Sequence, residues 1–458
     1  MGGDQPKALL RRWSDRAGRL SPEGGAGPLT RRAEKIAARL SPGLPAGLRL
    51  ALQPEAMVPG NALRLLVDGE HAYGALLEAI GAARERIDLE TYIWESDSTG
   101  RRFAAALTER AKAGVVVRCL IDGGGSFGTD DTMFDGLRAA GGRVAVFHPV
   151  GPWRRRWGWT VRDHRKLLVV DDSVAFTGGF NLGDPYAPKH WSGGAWHDLH
   201  VRIEGPVTKA YARLFEDAWR YVTGDARRRP PSALLPAGPE RADEAPAVAA
   251  ATIATAMIAS ASIVPAPAGG APEQALQGLV QPLAVGRRMS RRFIQRHYQH
   301  AVAMARERVW ISCAYFIPNR SWRRVLRKAA ARGVDVRVLV PRTNDIPAVH
   351  YAGRYTYQAL LDAGVRIFEF LPAMLHAKAL VVDGAWAGVG SYNLDQRSLM
   401  YNWEVAAEII DPGLCAALEE QFLADQQQSR EIDPVLWPKR GLQHKLRERF
   451  WHFFRLLL

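Results

Sequence analysis

The chain repeats itself, and the repeat limits its fold more than any other feature. From Ala79 it reads AIGAARERIDLETYIWESDSTGRRFAAALTERAKAGVVVRCLIDGGG, and from Ala301 it reads AVAMARERVWISCAYFIPNRSWRRVLRKAAARGVDVRVLVPRTND. Each copy runs helix, apolar run, loop, amphipathic helix, glycine and alternating strand. Gly114 and Gly333 are matching helix stops, each followed by a Val/Arg alternation. Further on, LRAAGGRVAVFHP from Leu137 matches LLDAGVRIFEFLP from Leu360. Alternating β and α elements predict sheets with helices on their faces. The expected fold class is α/β: two pseudo-symmetric lobes, each a mixed β-sheet flanked by helices, with the active site at the lobe interface. The expected boundaries are a basic extension at 1–57, a first lobe at 58–222 and a Pro/Ala-rich linker or insert at 223–280. A second lobe follows at 281–430, then a basic amphipathic helix at 431–458.

Each lobe ends in a second shared pattern. DHRKLLVVDDSVAFTGGFN carries His164, Lys166 and Asp171, and LHAKALVVDGAWAGVGSYN carries His376, Lys378 and Asp383. Both fit H-x-K-x-x-x-x-D. Side chains two apart on a strand share a face, so His164 points with Lys166 and His376 with Lys378. A hairpin at Asp171-Asp172 or Asp383-Gly384 returns Gly178-Gly179-Phe180-Asn181 in one lobe and Gly390-Ser391-Tyr392-Asn393 in the other. An imidazole, an ammonium and an amide donor then surround one spot with little side-chain bulk. Two facing copies would enclose an oxyanion such as a phosphate, with Asn181, Ser391 and Asn393 as candidate phosphate binders. A histidine in this role needs an acceptor on its second nitrogen. Asp198, 34 residues after His164, and Glu404, 28 after His376, are the candidates to orient the imidazoles. Asp171 and Asp383 fall at the turns, off the His/Lys face, where pinning the turn or pairing with a basic residue suits them better than chemistry. Core packing does not account for a lysine here, because lysine is almost never buried unpaired.

Composition narrows the function classes. With 47% hydrophobic and 24% charged residues in 458, the chain is neither disordered nor collagen-like nor a small disulfide scaffold. Cys119, Cys313 and Cys415 are far apart and make neither a disulfide framework nor a metal cluster, which fits a reducing compartment. The net charge of +14 is uneven: residues 1–41 and 439–458 contribute +5 each. Basic tails suit an anionic membrane surface at least as well as nucleic acid, which is normally read by a charged groove in the folded body. No signal peptide is expected at the N-terminus. The uncharged stretch 245–272 is mostly Ala, Ser and Thr between prolines. It reads as a low-complexity linker or as a short segment dipping into a membrane.

These motifs resemble the phospholipase D superfamily, whose signature is a duplicated H-x-K-x(4)-D, and within it the bacterial cardiolipin synthases of the shorter type without N-terminal transmembrane helices. The resemblance covers roughly residues 58–222 and 281–425, including TGGFNLGD, WHDLHVRIEGPV, AYFIP, GSYNLDQRS and NWEVAAEI. It implies a catalytic set of His164, Lys166, Asp171, His376, Lys378 and Asp383. It further implies a covalent phosphohistidine on His164, with His376 as acid and base, no metal and no cofactor. Phosphatidylglycerol would be donor and acceptor, and glycerol would leave. Hydrolysis by a phospholipase D, or cleavage of nucleic acid by a nuclease of the same superfamily, are the competing activities. Gly179 faces Ser391 across the repeat, so the two half-sites are not identical.

The C-terminal GLQHKLRERFWHFFRLLL places Leu442, Leu446, Phe450, Phe453, Phe454 and Leu457 at helical spacing among Lys445, Arg447, Arg449 and Arg455. It reads as a membrane-interface helix or as a terminal helix packed on the body. PWRRRWGW, Pro152–Trp159, reads as a headgroup contact at the site mouth or as a solvated loop. The expected partners are anionic phospholipids and a membrane surface, with no nucleic acid. The expected location is peripheral, on the cytoplasmic face of the cell membrane.

Overall fold

Strand register explains why the H-x-K segments run into unbroken aliphatic stretches. In LLVV, Leu167 and Val169 enter a core between the lobes while Leu168 and Val170 enter a core under the outer helices. A strand buried on both faces carries apolar residues at every position. This computed structural model describes residues 56–151, 160–192, 194, 196–224, 277–286 and 291–457. Most of the basic N-terminal extension, the 152–159 Trp/Arg run and the 245–272 stretch lie outside the described residues.

The described residues form fifteen strands: β1 (Val58–Val67), β2 (Arg86–Thr91), β3 (Val116–Asp122), β4 (Arg143–Phe147), β5 (Leu167–Val170), β6 (Val174–Gly178), β7 (Leu199–Glu204), β8 (Gln277–Val285), β9 (Arg308–Cys313), β10 (Asp335–Pro341), β11 (Arg366–Phe370), β12 (Lys378–Val382), β13 (Trp386–Gly390), β14 (Glu404–Ile410) and β15 (Ser429–Glu431). They make one sheet, β15-β11-β10-β9-β12-β13-β14-β8-β1-β7-β6-β5-β2-β3-β4. Outward from the central β8–β1 pair, the halves read β1-β7-β6-β5-β2-β3-β4 and β8-β14-β13-β12-β9-β10-β11, so each of the first seven strands has its counterpart seven places later, and β15 adds an antiparallel edge beyond β11. In each half the outer three are parallel and the others antiparallel. The lobes are thus halves of one mixed sheet, fused through antiparallel β1 and β8 across a bulge. β8 starts at Gln277, within the stretch expected to be linker.

The halves fold onto each other. β6 touches β13, although a flat sheet would hold them roughly 24 Å apart at 4.8 Å per strand. Val169, Val201, Val381, Val389 and Val405 fill the space between. Helices Thr208–Thr223 and Pro412–Gln427 close this core with Phe215, Trp219, Leu418 and Phe422. Helices Asp68–Ala82 and Ser98–Lys112 cover the outer face of the first half, and Phe293–Met304 and Arg320–Ala331 that of the second. Among the described residues no helix is long and apolar enough to cross a membrane.

Candidate active site

Each H-x-K segment enters the interface by pairing with the opposite lobe. The His164 N–H donates to the Trp403 carbonyl (2.9 Å) and the Trp403 N–H to the Arg162 carbonyl (2.8 Å). Symmetrically, the His376 N–H donates to the His197 carbonyl (2.7 Å) and the His197 N–H to the Met374 carbonyl (2.9 Å). The residues following Trp403 and His197 are Glu404 and Asp198. The carboxylates therefore cross over: Glu404 lies 3.1 Å from His164 Nδ1, and Asp198 lies 2.7 Å from His376 Nδ1. Neither histidine meets the carboxylate that follows it in its own lobe. An acceptor-only partner selects the Nδ1–H tautomer and leaves Nε2 with its lone pair.

The ammonium groups lie between these pairs. Lys166 Nζ donates to the His164 carbonyl at 2.8 Å. Lys378 Nζ binds the His376 carbonyl and sits 2.8 Å from His376 Nδ1. All six groups are buried, with Asp198 and Glu404 at 0% exposure and Lys166 at 2%. Two ammoniums face two carboxylates, so with both imidazoles neutral the cluster balances without a substrate. Burial, followed by the neighbouring Lys378, pulls Lys166 down to about 7. Burial and then Lys378 push His376 down to about 3, and burial and then Lys166 lower His164. Burial would raise both carboxyls, but Lys378 and His376 hold Asp198 below its ordinary range, and His164 with two serine hydroxyls does so for Glu404.

The two half-sites are supported differently. Glu404 accepts from Ser391 Oγ (2.5 Å), Ser398 Oγ (2.6 Å) and Asn402 Nδ2 (3.3 Å) as well as His164. Besides His376, Asp198 accepts the Leu199 N–H (2.7 Å). A Cβ on Gly179 would stand 2.1 Å from Asp198 Oδ1, so only glycine fits beneath that carboxylate. Ser391, expected to bind phosphate, is instead spent on Glu404 and the Val405 N–H. Asn181 gives one amide N–H to Tyr186 Oη (2.7 Å) and accepts from the Ile93 N–H (3.2 Å), keeping its second N–H. Asn393 is buried and its carboxamide oxygen has no partner among the described residues.

Asp171 and Asp383 do not belong to the catalytic cluster. Each sits in a hairpin turn of two left-handed residues: φ is 51° and 50° at Asp171-Asp172, and 52° and 63° at Asp383-Gly384. The turn is five residues past the lysine, about 17 Å along the strand. Asp171 accepts the N–H groups of Arg84, Glu85 and Arg86 (2.7–2.9 Å), and Asp383 those of Arg306, Glu307 and Arg308 (2.9 Å each). They tie the hairpins to the first residues of β2 and β9, which corrects their placement in the catalytic set. Several neighbours escaped sequence reasoning. Tyr92 stands edge-on to His164 (4.9 Å between ring centres), while Tyr186 and Trp196 flank His376 (5.3 and 5.2 Å). Ser398 stands three residues after Asp395, the N-cap of its helix, which accepts its N–H. No cluster of three or more His, Cys, Asp or Glu suited to a metal ion occurs among the described residues.

The family described as "Cardiolipin synthase, PLD-like domain" matches residues 76–219 and 298–426. A cardiolipin synthase of Geobacillus thermodenitrificans is 32% identical over 87% of this chain and 72% of its own. Cardiolipin synthase A of Serratia proteamaculans is 32% identical over 88% of this chain and 76% of its own. The crystal structure of a phosphatidylserine synthase from Haemophilus influenzae shares the fold, with a TM-score of 0.60 over 94% of this chain and 100% of that one at 16% identity.

Proposed function

The chain belongs to the phospholipase D-like cardiolipin synthase family and is a phosphatidyltransferase; from that premise we propose that it joins two phosphatidylglycerols into cardiolipin and releases glycerol. The observation that carries this reading is the crossed pairing, His164 with Glu404 and His376 with Asp198, around two buried lysines. His164 Nε2 attacks the phosphorus of the first lipid: a P–N bond forms and the P–O bond to glycerol breaks. Protonated His376 gives its Nε2 proton to the departing oxygen. The second lipid's glycerol hydroxyl then returns a proton to His376 and attacks the same phosphorus, breaking the P–N bond. The order of the histidines follows the family resemblance, since the pseudo-twofold geometry serves either. Lys166, Lys378, Asn181 and Asn393 supply the donors for the non-bridging oxygens. The phosphodiester charge between the ammoniums opposes the burial and the Lys378 repulsion that together keep His376 neutral in the empty site.

Purified protein with phosphatidylglycerol vesicles should yield cardiolipin and glycerol in equal amounts. Phosphatidic acid as the only lipid product would replace transfer with hydrolysis. His376→Asn should accumulate phosphorus on His164, while His164→Asn should carry none; label on His376 would reverse the order.

The same reading places the enzyme on the cytoplasmic face of the cell membrane. Helix Leu442–Phe453 packs through its polar side: Glu448 pairs with Arg440 (2.6 Å), and His452 stacks on Tyr355 (4.2 Å). Leu442, Leu446, Phe450 and Phe453 face outward. An outward apolar row on a basic helix suits the headgroup boundary. Leu446→Glu/Phe450→Glu should weaken vesicle binding more than turnover of detergent-dispersed substrate; equal losses would remove this role.

A further inference from the structure

Several arginines of the second lobe are neutralised by carboxylates. Arg308 meets Glu419, Arg354 and Arg430 meet Glu369, Arg366 meets Glu431 and Arg440 meets Glu448. One groove gathers arginines without an acidic residue in its lining. A cavity of about 950 Å³ opens between helix Phe293–Met304, the start of helix Arg320–Ala331 and the C-terminal helix. Arg292, Arg296, Arg320, Arg323 and Arg455 line it, and no described lining residue is acidic. Among the described residues, Arg323 and Arg455 reach only backbone carbonyls, those of Pro318 (2.8 Å) and His452 (3.2 Å). Among the described residues, no carboxylate or side-chain acceptor engages the guanidiniums of Arg296 or Arg320. Burial, then Arg455 and Arg320, lower Arg323, so the group strains against its neighbours when empty. The positive end of helix Arg320–Ala331 adds to the field. Gln295, 5% exposed, donates to Ser321 Oγ (2.7 Å), and its buried Oε1 has no partner among the described residues.

We propose that this groove is an accessory, non-catalytic site for the phosphate headgroup of an anionic phospholipid that remains in the bilayer. The rim selects a lipid over nucleic acid. Leu456 lines the groove, and Phe453 (74% exposed) and Leu457 (68%) stand beside it on the C-terminal segment. Guanidiniums would hold the phosphate while these side chains enter the acyl boundary. The groove also reaches the reaction centre through one short helix. Gln396, Leu399 and Met400 line it, while Ser398 of the same helix binds Glu404, the partner of His164. The inference does not depend on the two-histidine chemistry, because its test reads binding alone.

The test is co-flotation of the full chain with phosphatidylcholine vesicles, with and without phosphatidylserine. Arg296→Glu/Arg320→Glu should lower partition onto the anionic vesicles about tenfold or more. Binding to neutral vesicles, which reads the apolar row, should stay unchanged. Arg296 and Arg320 are exposed, and Arg296→Gln/Arg320→Gln, which adds no repulsion, should give an intermediate loss. Undiminished binding of both variants to anionic vesicles would overturn the proposal. So would a larger loss of affinity for a DNA duplex than for the vesicles, which would make the groove a nucleic-acid site.

Discussion

The two half-sites share strand order, hairpin and His/Lys register, yet they hold their carboxylates by opposite means. Glu404 is held by rotatable hydroxyls, Ser391 and Ser398, with Asn402 behind. Asp198 is held by a backbone N–H and by the absence of a side chain at Gly179. The residues that precede them differ too. Trp403 carries the Arg165 guanidinium over its ring at 4.8 Å, whereas His197 is gripped by Asp68 (2.7 Å) and Asp425 (2.9 Å). One duplicated unit thus has an adaptable support on one side and a rigid one on the other.

The amide substitutions should expose this difference most strongly. In Asp198→Asn the Leu199 N–H demands the amide oxygen, so the amide nitrogen faces His376 Nδ1 and forces the wrong tautomer. A loss of about 10⁴-fold in kcat is expected. In Glu404→Gln the serine hydroxyls can rotate to accept from the amide, its oxygen stays on His164, and a loss of about 10²-fold is expected at most. Single-turnover rates for the two variants measure the contrast, and equal losses would erase it.

Exchanging the small residues should give the next largest effect. Gly179→Ser drives Cβ into the Asp198 carboxylate and displaces His376. A shift of about 1 Å at such a group costs about 10²-fold. Ser391→Gly removes one of several donors to Glu404, at a cost of about tenfold. Initial rates with folded protein, checked by thermal melts, would rank them; a harmless Gly179→Ser would contradict the packing under Asp198.

The repeat, the shared His/Lys face and the seventeen-residue offset to the asparagines are legible in the sequence because they depend on local periodicity. The crossing of the carboxylates is not. Asp198 and Glu404 can be picked as acids ahead of strands, but their partners depend on how two sheet halves meet. That is set by long-range pairs such as Asp163 with Trp403 and His197 with Leu375. The turn role of Asp171 and Asp383 is legible from their offset off the His/Lys face, although membership of the signature puts them in the catalytic set; the strand starts that they hold are not. The arginine groove is invisible for a similar reason. Its residues come from positions as distant as Arg296 and Arg455, and a tally that assigns most net charge to the tails averages it away.

The expected effects of pH on stability are smaller, and they separate the two supports by sign. Lys166 titrates near 7 when folded against 10.5 ordinarily. Between those values the unfolded chain binds more protons, so this group makes the empty enzyme more stable as pH rises. For His197, burial works against the proton, but the Asp425 and Asp68 carboxylates hold it up to about 10, from 6.5. Its contribution is complete below 6.5 and is lost as pH climbs to about 10. The slopes oppose each other across nearly the same window, so the unfolding free energy from these two groups should be almost flat from about pH 7 to 10. His197→Phe should make stability climb with pH, and Lys166→Met should make it fall. Of these two groups only Lys166 belongs to the reaction centre: kcat/KM for an anionic phosphodiester should drop by up to about tenfold per unit above pH 7, as the empty site loses that ammonium. Urea titrations and initial rates over that range measure both. A kcat/KM level to pH 9 would mean that Lys166 keeps its proton, and that the adaptable half-site shields its lysine as well as its carboxylate.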